Sequence, residues 1–187
     1  MQDKLPLSLS KTNRRYTSLS YLKLAIILFI SLLSWQVGYA QEKQVYPKVT
    51  GYFSITNSFG TLTKDGFTGN FGKVYTVSFP FGINLLKSDK FGISFEISPA
   101  IRTENNIAKV SSITFQPGAM FRYPHGFNFI GRVAFESNGR FGVSPVFNKV
   151  VVRGKDANFF ASLSFPVRFG NALPASVGSG LQLGVSF

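Results

Sequence analysis

Apolar and polar residues alternate along this chain after Ala40, and no helical period of 3.6 residues interrupts the alternation. Because successive side chains of a β-strand point to opposite faces, this pattern predicts strands with one apolar and one polar face. The alternation predicts eight strands of roughly ten to fifteen residues. It is strong in four segments, at 91–98, 127–136, 159–169 and 177–187, and weaker in four others, at 48–59, 73–86, 107–122 and 140–153.

Short segments rich in Gly, Asn, Asp and Pro separate the eight strands and are typical of turns. An even number of strands linked by hairpins can close into an up-and-down barrel without a free edge. We therefore predict an all-β fold, an eight-stranded antiparallel up-and-down β-barrel over residues 48–187.

The connection at 137–139 tests the antiparallel arrangement. A two-residue turn at Asn138-Gly139 would mix the polar and apolar faces of the two flanking strands. A three-residue loop, with Gly139 in a left-handed bulge position, keeps both faces consistent and places Phe135 opposite Phe141.

The two faces differ in a way that indicates what surrounds the barrel. The polar face consists mostly of Gly, Ser, Thr and Asn, which suit a narrow eight-strand interior that side chains must fill. The apolar face is rich in Phe, and exposing it to water would exceed the few hundred Å² of apolar patch that soluble monomers tolerate. The pattern predicts a transmembrane barrel with its apolar face toward lipid. A soluble barrel or sandwich with the apolar face inside is the alternative.

Seven charged residues fall on the predicted inward face. Five Arg and two Glu in a narrow lumen should form a shared hydrogen-bonded network, because lone buried charges are very costly. We expect this lumen network to fix the shape of a closed barrel, and a positively charged pore is the alternative. Its members are Glu96, Arg102, Arg122, Arg132, Glu136, Arg140 and Arg168.

Two features conflict with regular strands. Five prolines fall inside predicted strands, where each removes a hydrogen-bond donor, so bulges or breaks should accommodate them. The alternation also fails at 149–152, within the sixth strand. The prolines are Pro80, Pro99, Pro117, Pro145 and Pro166.

The first forty residues have the pattern of a secretory signal peptide. A basic lead precedes an apolar run of ten residues at 24–33, and Gly38-Tyr39-Ala40 offers small residues for cleavage after Ala40. The run is half as long as a transmembrane helix requires, and an uncleaved anchor is the alternative. We predict a signal peptide at 1–40, a short lead at 41–47 and the barrel at 48–187.

Composition excludes several classes of function. Residues 1–40 hold five of the 20 basic and one of the eight acidic side chains, so the remaining 147 residues carry a net charge of +8. The basic residues are scattered singly and the chain is predicted to be exported, so we expect no nucleic-acid partner. The absence of Cys excludes disulfides, thiolate metal sites and a cysteine nucleophile.

The end of the chain resembles the C-terminal assembly signal of bacterial outer-membrane barrels, through Leu181, Leu183, Val185 and the terminal Phe187. The eight strands resemble the small OmpA/OmpX type, and segments 112–118 and 163–167 are similar to the outer-membrane β-barrel domain common in Bacteroidetes. This resemblance implies a place in the outer membrane of the Gram-negative cell envelope, contact with outer-membrane lipid, and recognition by the barrel-assembly machinery. It implies no activity.

Little catalytic chemistry is available to the chain. His125, the single histidine, lies in a predicted turn, so a rim hydrolase would lack a base, and no spacing of carboxylates suggests a metal or cofactor site. We expect a monomeric, non-enzymatic barrel with a structural or surface-interaction role, whose recognition surface lies in the loops 60–72 and 170–176. A narrow anion-preferring, porin-like channel or small-solute transporter is the alternative.

Overall fold

The strands are formed by the alternating segments described above. The computed structural model describes residues 45–72 and 74–187, so the predicted signal peptide at 1–40 and the first part of the lead, 41–44, lie outside the described residues. The structure has eleven strands: β1 Lys48–Thr63, β2 Gly66–Gly69, β3 Val74–Ser78, β4 Phe81–Leu86, β5 Phe91–Glu104, β6 Ile107–Tyr123, β7 Phe127–Glu136, β8 Phe141–Arg153, β9 Asn158–Ser164, β10 Val167–Phe169 and β11 Ser176–Ser186.

These strands form one closed antiparallel barrel. Consecutive strands pair around the sheet, and β11 returns to pair with β1 from Tyr52↔Ser186 to Thr63↔Ser176. β3 and β4 together fill one position between β1 and β5, and β9 and β10 fill one position between β8 and β11. β2 is a short strand paired with the last residues of β1. The predicted all-β, eight-position, up-and-down barrel is confirmed.

The up-and-down order gives the barrel two different ends. The terminal end contains the start of β1, the C-terminal residue, and the turns at 87–90, 124–126 and 154–157. The loop end contains the connections that follow β1, β5, β7 and β10.

The prolines interrupt the strands in two ways. The second and seventh barrel positions break at Phe79-Pro80 and Phe165-Pro166, where the chain leaves the regular ladder. Both prolines still contribute a carbonyl, since Pro80 O accepts the Ser54 N–H at 2.8 Å and Pro166 O accepts the Gly178 N–H at 2.7 Å. Strands β5, β6 and β8 continue through Pro99, Pro117 and Pro145.

The two local predictions about register agree with the structure. Phe135 pairs with Phe141, and Gly139 has φ = 86° and donates its N–H to the carbonyl of Glu136 at 2.9 Å, as expected for a three-residue loop. The failed alternation at 149–152 coincides with a register shift between Val150 and Val152 where β8 pairs with β9.

The segment 60–72 is more regular than the predicted loop, and this prediction was wrong. β1 continues to Thr63 and pairs with β2 to form a hairpin at the loop end. The side-chain amide of Asn70 then hydrogen-bonds the backbone of Thr76 in the way that a paired strand would. Its Nδ2 donates to Thr76 O at 2.9 Å, and its Oδ1 accepts the Thr76 N–H at 2.7 Å. Paired backbone groups, which turn propensity does not reveal, therefore order most of this segment.

The β5–β6 hairpin projects beyond its neighbour at the loop end. β6 pairs with β7 only from Thr114 to Tyr123, whereas its pairing with β5 extends to Ile107. A register shift between Ala100 and Ile101 in β5 marks the base of this projection.

Candidate functional site

The structure places the apolar face outside and the polar face inside. Phe95 and Phe115 are 38% and 46% exposed, whereas their neighbours Glu96 and Gln116 are 4% and 7% exposed. Over residues 45–72 and 74–187, most phenylalanines lie on the outside, and the aromatic pair Tyr52–Phe160 is buried inside. The candidate site is consequently the interior of the barrel together with its two ends.

A buried ion pair occupies the middle of the lumen. Arg132 Nη1 lies 3.1 Å from Glu96 Oε2, and both side chains are almost fully enclosed. The second guanidinium nitrogen of Arg132 donates to the Tyr52 hydroxyl at 3.0 Å and to Ser94 Oγ at 3.1 Å. The Tyr52 hydroxyl in turn donates to Glu96 Oε2 at 2.7 Å. Arg132, Glu96 and Tyr52 therefore each contact the other two.

Amide side chains satisfy the remaining acceptors of this ion pair. Gln116 Nε2 donates to Glu96 Oε1 at 2.9 Å, and Gln182 Nε2 donates to Ser54 Oγ at 2.8 Å and approaches Glu96 Oε2 at 3.4 Å. A buried carboxylate with several donors is far less costly than an isolated one. One atom stays without a partner, since Arg132 Nε makes no hydrogen bond among the described residues.

A second ion pair lies nearer the loop end. Arg168 Nε donates to Glu136 Oε1 at 2.7 Å, and Arg168 Nη2 donates to Ser144 Oγ at 3.0 Å. Ser144 Oγ donates to Gln116 Oε1 at 2.7 Å. Because the Gln116 amide contacts Glu96 at one end and Ser144 at the other, the two ion pairs belong to one connected set of contacts.

The three remaining charged residues of the predicted network lie elsewhere. Arg140 donates to the carbonyls of Arg168 and Pro174, at 3.2 and 3.0 Å, and to Ser176 Oγ at 3.0 Å, so it binds the 170–176 connection at the loop end. Arg122 lies at the terminal end, where it donates to the Tyr46 hydroxyl at 3.0 Å and to a turn carbonyl.

Arg102 is a correction to the predicted inward set. It forms an ion pair of 3.2 Å with Glu104, and both side chains are more than 40% exposed. The physical reason is its place on the projecting part of the β5–β6 hairpin, where β5 still pairs with β3 but β6 no longer pairs with β7.

Glycines on the inward face provide the space for these large side chains. A Cβ at Gly82 would lie 2.7 Å from the Tyr52 hydroxyl, and a Cβ at Gly118 would lie 2.7 Å from Arg132 Cγ. A Cβ at Gly184 would lie 2.5 Å from the ring of Phe160. Small and large residues thus face each other across the narrow lumen, as is usual in small barrels.

The lumen also contains an apolar cluster, nearer the terminal end than the ion pairs. Four buried side chains form a cluster there, and Tyr46 packs against it. Phe160 is also buried, and its ring meets that of Tyr52 edge to face at a centroid distance of 6.0 Å. The cluster consists of Leu86, Met120, Ile130 and Val146.

The C-terminal residue takes part in closing the barrel. Phe187 and Gly51 exchange two backbone hydrogen bonds, of 2.9 and 3.0 Å, and the ring of Phe187 covers the Gly51 backbone. Leu181, Leu183 and Val185 precede it on β11 and pair with residues of β1. Leu183 and Phe187 are more than half exposed on the outside of the barrel.

Other chemistry has few candidates. His125 sits exposed in the 124–126 turn at φ = 62°, and its carbonyl accepts a hydrogen bond of 2.6 Å from Lys149 Nζ. Over residues 45–72 and 74–187, no group of three His, Asp or Glu side chains is placed to hold a metal ion. The same residues include no helix that is long and apolar enough to cross a membrane.

Sequence reasoning named the charged members of the interior but missed its uncharged ones. Tyr52, Gln116 and Gln182 all lie on the inward parity of their strands. Their residue type and their inward parity could therefore have identified them as members of the interior network. Their hydrogen-bond partners could not be identified, because these depend on the register.

Comparison with known proteins gives one structural likeness. No family model matches the chain, and no curated protein matches it. The solution NMR structure of the de novo designed protein TMB2.3 is similar over 74% of this chain and 95% of that chain, with 12% sequence identity and a TM-score of 0.39. The fold assignment rests on the strand pairing of this chain itself.

Proposed function

We propose that the chain is a small, non-enzymatic β-barrel of the bacterial outer membrane, with a closed lumen and a structural or surface-interaction role. The observation that carries this proposal is the combination of an exposed aromatic outer wall with an ion-paired, side-chain-filled interior.

The outer wall supports the membrane location. Five phenylalanines on five neighbouring strand positions form a continuous row, with successive ring centroids 5.3 to 6.4 Å apart. Exposed aromatic surface on this scale favours an acyl-chain environment, because apolar patches on soluble monomers seldom exceed a few hundred Å². The row consists of Phe91, Phe121, Phe129, Phe147 and Phe165.

The interior supports a closed barrel. An ion crossing the lumen would have to displace the Glu96–Arg132 pair and then pass the apolar cluster around Met120 and Ile130. Arg132 and Arg168 are each already paired with a carboxylate, and Arg140 donates to two carbonyls and to Ser176 Oγ, so these inward cations are engaged in the protein's own contacts. Ion conduction through the lumen is the alternative function, and the planar-bilayer recording described below would detect it.

The C-terminal strand supports the assembly route. Leu181, Leu183, Val185 and Phe187 match the pattern that the barrel-assembly machinery reads in outer-membrane proteins, and Leu183 and Phe187 project outward from β11.

Replacing Phe187 by Gln is expected to lower the amount of folded barrel in the outer membrane, with the exposed Phe67→Gln as the matched control.

The location can be tested in cells and in vitro. The processed chain should fractionate with outer membranes, start near Gln41, and migrate differently on gels before and after heating, as closed barrels do. Recovery of the chain from cells as a freely dissolved monomer would contradict the proposal.

The closed lumen can be tested by planar-bilayer recording. Wild-type barrels are expected to give no ion current, and so is Arg132→Ala, since the apolar cluster remains in place. Arg102→Ala, at the exposed pair, is the matched control. Anion-selective current steps from the wild-type protein would instead establish the channel function.

A further inference from the structure

The two ends of the barrel differ strongly in charge. The terminal end carries seven basic side chains against two acidic ones, Asp89 and Asp156, which gives a charge of +5. In the part of the chain that the structure describes, none of the seven is ion-paired. The seven are Lys48, Lys87, Lys90, Arg122, Lys149, Arg153 and Lys155, and we refer to them as the basic rim.

The positive excess among the described residues of the loop end is smaller, at +2. These residues include five basic and three acidic side chains, and two of the three carboxylates are already paired with arginine, as Glu104–Arg102 and Glu136–Arg168. The unpaired positive charge of the barrel is therefore concentrated at the terminal end.

Two residues of the basic rim are sequence neighbours of exposed aromatic side chains of the outer wall. Lys90 immediately precedes Phe91, and Arg122 lies between Phe121 and Tyr123. In membrane proteins, aromatic residues followed by basic residues at the edge of an apolar surface typically mark the interface between acyl chains and headgroups.

Lys149 shows how a basic side chain reaches this level from the outer wall. It pairs with Phe127 across the β7–β8 ladder, its Nζ lies 5.8 Å from the centre of that ring, and the amine then extends to the His125 carbonyl. This is the snorkelling geometry of a lysine whose stem covers apolar surface while its amine seeks the interface.

A second cation converges on the same turn. A Cβ at Gly126 would lie 3.2 Å from Nη2 of Arg153, so the guanidinium of Arg153 packs against the 124–126 turn. Lys149 and Arg153 thus approach one turn from a single strand, β8, and concentrate positive charge there.

We propose that the basic rim binds the headgroups of anionic phospholipids in the leaflet at the terminal end of the barrel. This inference rests on the membrane location proposed above. Ammonium and guanidinium groups at a membrane surface attract anionic headgroups, and salt screens this attraction. The aromatic row of the outer wall would hold the rim at headgroup depth, and no carboxylate of the described residues pairs with the rim, so its charge is available to the headgroups.

The test compares barrels folded into vesicles of phosphatidylcholine alone with barrels folded into vesicles that also contain phosphatidylglycerol. The measurement is the urea midpoint of unfolding, followed by the heat-dependent gel shift. Phosphatidylglycerol is expected to raise the midpoint of the wild-type barrel, and high salt is expected to remove the increase.

The variant K87Q/K90Q/K155Q should lose most of this increase, because these three side chains are exposed and form no ion pair with the described residues. The control K64Q/K109Q, which removes two lysines from the loop end, should keep it. If the triple variant does not fold, the three single variants should each lose a part of the increase.

The outcomes separate the two proposals. A wild-type chain that folds into neither kind of vesicle contradicts the membrane location. A wild-type chain that folds into both with the same midpoint, or a loop-end control that loses the increase as fully as the rim variant, overturns the lipid inference and leaves the location intact.

Discussion

At the scale of single residues, the Glu96–Arg132 pair is the feature whose energetics are easiest to predict. Removing two charges from water is costly, and the cost is offset here by hydrogen bonds from Tyr52 and Gln116 to the carboxylate. Such a pair adds little net stability compared with apolar residues of similar size, but loss of one partner leaves the other charge buried and unpaired.

Replacing Arg132 by Met should therefore destabilise the barrel by about 3–5 kcal/mol, the range for breaking a buried pair. Arg102→Met, at the exposed pair with Glu104, should cost no more than about 1 kcal/mol. The measurement is equilibrium urea unfolding in neutral lipid vesicles. Equal losses in the two variants would show that Arg132 is not buried as the structure has it.

The double variant Glu96→Gln/Arg132→Met gives a separate prediction. Neutralising the carboxylate removes the charge that Arg132→Met leaves behind, so the double variant should be more stable than Arg132→Met alone. The coupling between two residues in contact is typically about 0.5–3 kcal/mol. Strict additivity of the two single losses in the same unfolding measurement would contradict the contact.

At the scale of strands, inward glycines set how closely the barrel can be filled. Gly118 on β6 and Gly131 on β7 lie on neighbouring strands, but only Gly118 faces a crowded site. A Cβ there would lie 2.3 Å from the Gly131 carbonyl oxygen, whereas a Cβ at Gly131 would have a single neighbour, at 3.9 Å.

Gly118→Ala should lower the free energy of unfolding, because the backbone oxygen cannot move aside without breaking the β6–β7 ladder. Overpacking of this kind typically costs about 1–3 kcal/mol. Gly131→Ala is the matched control and should be neutral or stabilising, since alanine loses less conformational entropy than glycine in a strand. Urea midpoints in the same vesicles compare the two.

The strand scale also shows what the sequence could predict. Period-two alternation was sufficient for the eight positions and for the bulged hairpin at Gly139, because both depend on local parity and turn chemistry. Parity failed for Arg102, since a register shift at Ala100/Ile101 and the length of one hairpin decide whether a residue faces a lumen. It could not predict the partners of Gln116 either, because they come from strands 20 to 52 residues away.

The apolar cluster inside the barrel is a further feature that parity did not predict. Ile130 has the inward parity predicted for the polar face of β7, between Asn128 and Arg132. Its burial with Met120 becomes intelligible only when the register aligns the two residues across the β6–β7 ladder. Residue type and parity alone therefore do not predict the apolar cluster. The position of each residue along the barrel axis, which the register sets, is also needed.

At the scale of the whole molecule, the solvent of the outer wall determines how its stability responds to charge. β7 presents a line of outward residues that crosses the wall from the terminal end to the loop end, through Phe127, Gly131, Val133 and Phe135. In a bilayer, Phe127 would lie near one interface and Val133 would lie near the middle of the acyl-chain layer.

Lysine substitution along this line should give a cost that depends on depth. Val133→Lys is expected to cost about 2–4 kcal/mol in vesicles, and Phe127→Lys about 0–1 kcal/mol beyond its lost packing, because the bilayer midplane penalises a cation far more than the interface does. The measurement is the urea midpoint of each variant folded into neutral vesicles. A barrel with a water-exposed wall would tolerate Val133→Lys at least as well as Phe127→Lys, so a flat or inverted profile would argue against lipid around the aromatic wall.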